Sequence, residues 1–203
     1  YHRARLLGQR PVAELAARDL TEASARLRLG SYKSVRFALE LLVSHAGKAQ
    51  ARDFSQALGR EVLGYISKLS PNVRKYSNAR GASLSDLAAL SEENEATTLK
   101  PQTQTRIWGQ LQHFLDWCVQ SGELEANPWE SLTVKAKPEV SPHGVLTDAQ
   151  VVLLLRRKDW VLHNLLLFCL LTGLRSGEAC GLLAEDVISK GNLGRFVRVA
   201  PND

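Results

Sequence analysis

The sequence is poor in the residues that build disulfide frameworks, metal sites and membrane spans. It has three cysteines, Cys118, Cys169 and Cys180, without CxxC spacing, and this odd, scattered set argues against a disulfide framework and a zinc site. The longest apolar run, residues 165–172, is far shorter than the roughly 18–20 residues that span a bilayer. These absences favour a reducing cytosol and predict no metal, no cofactor and no membrane partner.

Methionine is missing altogether, even at the first position, which indicates a processed or trimmed product. No signal peptide is visible either, because the basic segment 1–10 has no apolar stretch behind it. The apolar share of 44% is normal for a globular protein and too high for a disordered one. With 203 residues the chain can hold one large domain or two small ones.

Positive charge is concentrated in the amino-terminal part of the chain. Residues 1–80 carry 15 Lys and Arg against 6 Asp and Glu, whereas residues 81–137 carry 4 against 8. Residues 138–203 are balanced, with 7 of each sign. A basic block suits a protein that binds phosphates, because each neutralised phosphate releases a counterion. A merely solvated surface explains the same charge, so charge alone suggests a partner without proving one.

Apolar residues recur at helical spacing through the first 121 residues. They predict helices at about residues 11–30, 32–46, 53–70, 83–90 and 101–121. Asp53 is the predicted N-cap of the third helix, Pro71 ends it, and Gly122 fits the left-handed position after the fifth. The inner face of the fifth helix is predicted to comprise Ile107, Leu111, Phe114 and Cys118. The four tryptophans, Trp108, Trp117, Trp129 and Trp160, are expected to pack rather than to stack on bases.

The proline-bearing segment 138–144, PEVSPHG, predicts an extended linker. It separates a helical domain, residues 1–137, from a second domain, residues 146–203, with the linker at 138–145. Thr147 and Gln150 predict a capping box at the start of the second domain. The segment 161–171 is apolar on nearly all sides, so we expect a buried helix. A helix from about Ser176 to Leu183 and a single strand near 196–199 complete the prediction.

The stretch LTGLRSGEACGL, residues 171–182, carries the candidate chemistry. Gly173 closes one helix, and Arg175 lies at the entrance of the next, where a helix N-terminus favours anions. A guanidinium can bind two phosphate oxygens at once, which a lysine cannot do. Glu178 lies on the same helical side and can orient the guanidinium. An ordinary Arg–Glu pair at a helix start explains the same spacing.

The same string, with Asp186-Val187 after it, resembles the first conserved box of tyrosine recombinases, the phage-integrase family. In that box a threonine-glycine-hydrophobic-arginine turn is followed by an acidic residue three positions on. The preceding LTDAQVVLLL and LLLFCLL match the way in which the family's catalytic domain begins. A segment upstream resembles the last helix of the family's core-binding domain. It contains Thr103, Leu111, Phe114 and Trp117, followed by Gly122 and Asn127-Pro128. The resemblance covers roughly residues 10–203.

The resemblance implies a mainly α fold, with a helical, SAM-like core-binding domain followed by a truncated α+β catalytic domain. It implies site-specific DNA recombination or integration, in which a tyrosine attacks the scissile phosphate and forms a 3′-phosphotyrosyl link. Arg175 matches the family's first catalytic arginine and Glu178 its supporting acid. The implied partner is double-stranded DNA, with the intact protein a homo-oligomer on it. A bacterial or phage-encoded protein, cytoplasmic and nucleoid-associated, is expected.

The sequence departs from the family's pattern after Arg175. The family's lysine hairpin, His-x-x-Arg box and tyrosine follow the first arginine, whereas all four tyrosines of this sequence precede it. We therefore expect the chain alone, as a fragment without the nucleophile, to be inactive in cleavage. Two other functions stay open. One is a non-catalytic DNA-binding module derived from a recombinase, and the other is a helical module whose basic block binds an acidic protein.

The residues expected to contact DNA are basic, belong mostly to the amino-terminal half and lie off the apolar stripes. They are Lys33, Arg36, Arg74, Lys75, Arg80 and Arg106. We expect weak, sequence-tolerant and salt-sensitive binding, since contacts to the backbone carry no sequence information.

Overall fold

A computed structural model describes residues 7–94, 97–135, 144–156 and 159–199 of the chain. The chain divides into two compact units, Tyr1–Val140 and Ser141–Asp203. Most of the predicted linker, residues 138–143, lies outside the described residues, so the hinge stays a prediction. None of the described helices combines the length and the apolar character that a membrane crossing requires.

The first unit is built from helices, and the fold class is mainly α as predicted. Its α-helices are α1 (Val12–Arg26), α2 (Leu29–Ala46), α3 (Gln56–Lys68), α4 (Leu84–Glu93) and α5 (Pro101–Gln120). Short 3-10 turns lie at Ala51–Asp53, Val73–Lys75 and Ser77–Ala79. An isolated β-bridge joins Pro11 to Gln50.

Two predicted helix ends in the first unit are wrong. The N-cap of α3 is Ser55, whose hydroxyl accepts a hydrogen bond from the Leu58 N–H at 3.2 Å. Asp53 instead accepts the Gln50 N–H at 2.8 Å and closes the preceding 3-10 turn. Gly30 does not end α1, because the chain becomes extended at Leu27 and Gly30 is already the second residue of α2.

Helix α2 is central to the core and packs against α1, α4 and α5. The predicted inner face of α5 is confirmed, since each of its four members is at most 2% exposed. The predicted apolar side of α2 is also buried, at Val35, Leu39 and Leu42. Burial of these faces supplies most of the stability of such a bundle, because helical propensity alone is weak.

Trp129, beyond the end of α5, is fully buried and completes the core. Its ring stacks on Trp108 with centroids 5.1 Å apart and meets Phe54 edge-on at 5.2 Å. Its indole N–H donates to the Ser55 carbonyl at 2.9 Å. Gly59 of α3 permits this approach, because an added Cβ would lie 2.8 Å from the Trp129 ring. The packing roles predicted for Trp108 and Trp129 are therefore confirmed.

The second unit contains three helices and a short hairpin among its described residues. The helices are α6 (Asp148–Leu155), α7 (Trp160–Thr172) and α8 (Ser176–Cys180). The predicted capping box of α6 is confirmed, with Thr147 N–H donating to the Gln150 side chain at 2.9 Å. Strands β1 (Val187–Ser189) and β2 (Arg195–Val197) pair antiparallel, with Ile188 opposite Phe196.

Three expectations for the second unit are wrong. The predicted single strand is one arm of a hairpin. The other arm was not predicted, because β1 has only three residues, which are too few for a recognisable periodicity. Helix α8 ends at Cys180 rather than near Leu183. Helix α7 is not buried, and its Trp160 and Val161 are 62% and 80% exposed. Within the described residues its main packing partners are the short helices α6 and α8, which leave much of its surface uncovered.

Candidate nucleic-acid interface

Five of the six predicted DNA-contacting residues lie on α2 and on the 3-10 turns that precede α4. We call Lys33, Arg36, Arg74, Lys75 and Arg80 the basic cluster; all five are exposed. Lys33 and Arg36 are one turn apart on α2, so they share a helix face. Arg74 and Lys75 lie in the turn Val73–Lys75, and Arg80 directly follows the turn Ser77–Ala79.

Glu40 joins the two parts of the basic cluster. Its carboxylate accepts a hydrogen bond from Arg36 Nε at 2.7 Å and from Arg74 Nη2 at 2.7 Å. The hydrogen bond to Glu40 is the main reason that the Arg36 pKa is raised above its ordinary value. Arg74 is held further by the ring of Phe37, whose centroid lies 4.1 Å from the guanidinium carbon. The roles of Glu40 and Phe37 were not predicted from the sequence. The i,i+4 spacing of Arg36 and Glu40 is a signal from which the pairing of Glu40 could have been predicted.

The surface beside Arg74 is concave on two sides. A cavity of about 500 Å³ is lined by Arg74, Arg80, Tyr76 and Phe37, among others. A second, smaller one of about 250 Å³ is lined by Arg74, Phe37 and Thr103. Because Thr103 is in the first turn of α5, the exposed Arg106 lies one turn further along the same helix. The fold therefore brings Arg74 and Arg80 to one cavity and places Arg106 near the edge of the next.

The cluster keeps free positive charge. Within the described residues, no acidic side chain forms an ion pair with Lys33, Lys75, Arg80 or Arg106. Glu40 carries a single negative charge against the two guanidinium groups that it contacts. Lys33, Lys75, Arg80 and Arg106 can therefore accept phosphate groups without first breaking an internal ion pair, whereas Arg36 and Arg74 share Glu40.

The Arg175 turn lies in the second unit, between α7 and α8. Gly173 ends α7 in the left-handed conformation, with φ of 71°, and its N–H donates to the Cys169 carbonyl. Arg175 is the N-cap residue of α8, and its N–H donates to Glu178 Oε2 at 2.8 Å. The Arg175 guanidinium donates to Glu178 Oε1 at 3.1 Å. One carboxylate thus holds both the backbone and the side chain of the arginine.

Hydrogen bonds from Arg175 determine the charge state of Glu178 in this turn. The Glu178 pKa is lowered, chiefly by the hydrogen bond from the Arg175 N–H and further by the guanidinium, so the carboxylate is ionised at neutral pH. The Arg175 side chain is 87% exposed, whereas Glu178 is 24% exposed. A guanidinium has five N–H donors. Those not used by Glu178 have no acceptor among the described residues and can bind an oxyanion.

Comparison with family models, with curated proteins and with solved structures found no match to this chain.

The described part of the chain brings together no cluster of metal ligands, and its buried thiol is unreactive. No three of its His, Cys, Asp and Glu side chains come together as metal ligands. Burial, with the nearby Asp19 and Glu123, raises the pKa of the Cys118 thiol to about 12, so this cysteine is protonated and inert.

Proposed function

We propose that the chain binds duplex DNA as part of a tyrosine recombinase, with the basic cluster on the DNA backbone and Arg175 on the scissile phosphate. The observation that carries the proposal is the Arg175 turn. Its arginine is exposed, and Glu178 accepts hydrogen bonds from both its backbone N–H and its guanidinium. The sequence resemblance to the family's first arginine box gives this geometry its assignment. The nucleophile is not assigned to any residue of this sequence.

In the proposed reaction, Arg175 stabilises the negative charge that grows on the non-bridging phosphate oxygens as a tyrosine hydroxyl attacks the phosphorus. The bond between phosphorus and the 5′ oxygen breaks while a bond forms between the tyrosine oxygen and phosphorus. The tyrosine hydroxyl gives up its proton in this step, and the leaving 5′ oxygen takes one up. A preorganised donor of this kind contributes about 10²–10³ in rate. Glu178 acts indirectly, because it keeps the guanidinium oriented and so reduces the reorganisation needed at the transition state.

The first unit supplies affinity in this proposal. The basic cluster and Arg106 offer about six cationic contacts, and each neutralised phosphate contributes to the salt dependence of binding. The logarithm of the association constant should then fall against the logarithm of the salt concentration with a slope of roughly −5. Phosphate contacts position a protein without reading bases, so sequence discrimination should be small.

The test is fluorescence anisotropy of a labelled duplex of about 30 bp, titrated with the chain at about 50–300 mM salt. Charge reversal at Arg74 and Lys75 together should weaken binding at least about tenfold and make the salt slope shallower. Lys48→Glu is the single-site control, since Lys48 is exposed and lies outside the cluster. It should weaken binding about threefold at most. A flat salt response, or equal losses per reversed charge at Lys48 and in the cluster, would remove this surface from the proposal.

The same assay separates DNA from an acidic protein partner. Polyglutamate of matched charge is added as competitor against the labelled duplex. The concentration of negative charges needed to displace the labelled duplex is compared for the two competitors. DNA is the preferred partner if polyglutamate must be added at a charge concentration at least about tenfold higher than that of unlabelled duplex. Equal competition would favour the alternative of a helical module that binds acidic protein.

A further inference from the structure

A cavity of about 480 Å³ opens between α1 and α5 of the first unit. Its buried floor includes Asp19 and Phe114, and Trp117 lines its wall. Arg26, His113 and Asp116 lie exposed at its rim. A volume of this size is within the range of small-ligand sites. None of these residues except Phe114 and Trp117 belongs to a motif identified in the sequence.

Asp19 is the feature of this cavity that the fold does not explain. The residue is 8% exposed, yet its carboxylate accepts no hydrogen bond from a described residue and forms no ion pair with one. Burial is the first cause that raises its pKa, followed by the charge of Glu22, while Arg26 lowers it. An aspartate is rarely this buried without a partner, because desolvation of a carboxylate is costly.

The position of Asp19 on α1 shows why burial of its carboxylate is costly. Leu15, Asp19 and Ala23 succeed one another at intervals of four, so Asp19 interrupts the buried stripe of the helix. An apolar residue there would suit packing better than a carboxylate does. The charge is therefore explained more readily by a ligand that reaches it through the cavity.

The surroundings of Asp19 favour a positive ligand. The rings of Phe114 and Trp117 stack with centroids 6.2 Å apart, and both line the cavity. The Arg18 guanidinium already lies 5.5 Å from the Trp117 ring centroid, so this indole attracts cations in the fold itself. The Trp117 N–H is satisfied by Glu22 at 2.8 Å, which adds a further negative charge nearby.

The other charged groups at the cavity are partly neutralised. Asp116 accepts a hydrogen bond from Asn127 at 2.7 Å, and Arg18 pairs with Glu123 at 2.9 Å. Arg26 at the rim is a like charge that opposes cation entry, and His113 adds another when protonated. The balance at the floor, where Asp19 lies, stays negative. An anionic ligand would have to displace water from beside an unpaired carboxylate.

We propose that this cavity binds an organic cation, whose ammonium or guanidinium group pairs with Asp19 while its apolar part packs on Phe114 and Trp117. The source is either a free small amine or a basic side chain of another polypeptide, since both present the same group. This site is separate from the proposed DNA contacts.

The experiment is NMR titration of the ¹⁵N-labelled chain, with the Trp117 indole signal as reporter. The probes are putrescine for a free amine and N-acetyl-lysine methylamide for a side chain, with glutarate as the anionic control. We expect saturable binding of at least one cationic probe and none of glutarate. Asp19→Asn should weaken the cation about 10- to 100-fold, the value of a charge-assisted hydrogen bond.

Two matched variants make the assignment specific. Glu125→Gln removes the same charge at an exposed position that does not line the cavity, and it should change affinity about threefold at most. Arg26→Gln should strengthen binding, because it removes the opposing charge. Binding of wild-type chain should also fall as acid protonates Asp19, which provides a test in the unaltered protein. Equal affinity in Asp19→Asn and wild type overturns the proposal, and so does the absence of saturable binding of both cationic probes. Preference for one probe identifies the source.

Discussion

At the scale of single residues, Gly59 decides how closely α3 approaches the ring of Trp129. A methyl group added there would lie 2.6 Å from Leu132 and 2.8 Å from Trp129. We therefore expect Gly59→Ala to destabilise the first unit by about 1–3 kcal/mol, the usual cost of overpacking. Urea unfolding followed by tryptophan fluorescence measures the change.

Gly64 is the matched control for this prediction. It lies on the same helix, and an added Cβ there meets nothing within 4 Å. Gly64→Ala should raise the free energy of unfolding by up to about 1 kcal/mol, because alanine has the better helical propensity. Equal effects of the two substitutions would show that Trp129 does not pack against α3 as described.

Asp19 should lower the stability of the fold at neutral pH relative to acidic pH, which is an unusual direction for a carboxyl group. Its pKa is raised in the folded protein, mainly by burial, so the folded state binds a proton more tightly than the unfolded state. The carboxyl group therefore destabilises the fold at neutral pH. This cost disappears as the pH falls through the raised folded pKa towards the ordinary aspartate value of about 3.9.

Asp19→Asn should accordingly stabilise the chain at pH 7 in the absence of cationic ligand, because it removes a buried charge. The gain should shrink towards zero near pH 3.5, where the wild-type carboxyl is protonated as well. Parallel urea titrations of both proteins across this range provide the measurement. A gain that stays constant with pH would mean that the benefit comes from the amide and not from removal of a charge.

At the scale of elements, helix ends were predicted best where the sequence carries explicit end signals. Both ends of α5 follow from Pro101 and from Gly122, whose φ is 71°. The predicted start of α4 near Ser83 is confirmed, and the structure shows there a capping box of Ser83 and Asp86. The start of α3 was misplaced because Asp53 and Ser55 are both good caps, and the 3-10 turn before the helix engages the first.

Burial was harder to predict than helix formation. The apolar pattern of α7 predicts a helix correctly, but periodicity cannot reveal which elements will cover it. Asp19 illustrates the converse, since a polar residue at an apolar position looks like an edge of the stripe until the fold buries it. In both cases the missing information is tertiary, because it concerns what packs against a face rather than the face itself.

The Glu40 bridge provides the prediction for α2. Glu40 competes with phosphate for Arg36 and Arg74, which it holds at 2.7 Å each. If the cluster binds DNA, Glu40→Gln should tighten binding about three- to tenfold at low salt, because one competing negative charge is removed. Glu93→Gln is the control, as Glu93 is exposed on α4 and outside the cluster. Weaker binding by Glu40→Gln would show that the bridge preorganises the arginines and does not compete.

At the scale of the whole molecule, the candidate sites of the two units differ in how far the sequence predicted them. The contact between Arg175 and Glu178 follows from local geometry, because residues three apart at a helix start lie together. The bridge from Arg74 to Glu40 joins positions 34 apart in the chain, so only the packed first unit reveals it. The charge count located a basic half, but the fold determined which of its residues share a surface.

Arg175 provides the last prediction, which distinguishes a catalytic arginine from a structural one. In this chain Arg175→Ala should lower DNA affinity only about threefold, since it removes one phosphate contact of several. In a protein that joins this segment to the family's nucleophile, the same change should slow single-turnover cleavage of a suicide substrate by about 10²–10³. The difference arises because only interactions that strengthen in the transition state accelerate the step.

Arg175→Lys should restore little, because a point charge cannot replace the bidentate fork. Glu178→Gln should be milder, because the arginine remains and loses only part of its orientation. Equal losses of binding and cleavage, or wild-type cleavage by Arg175→Ala, would make Arg175 an ordinary helix-start residue.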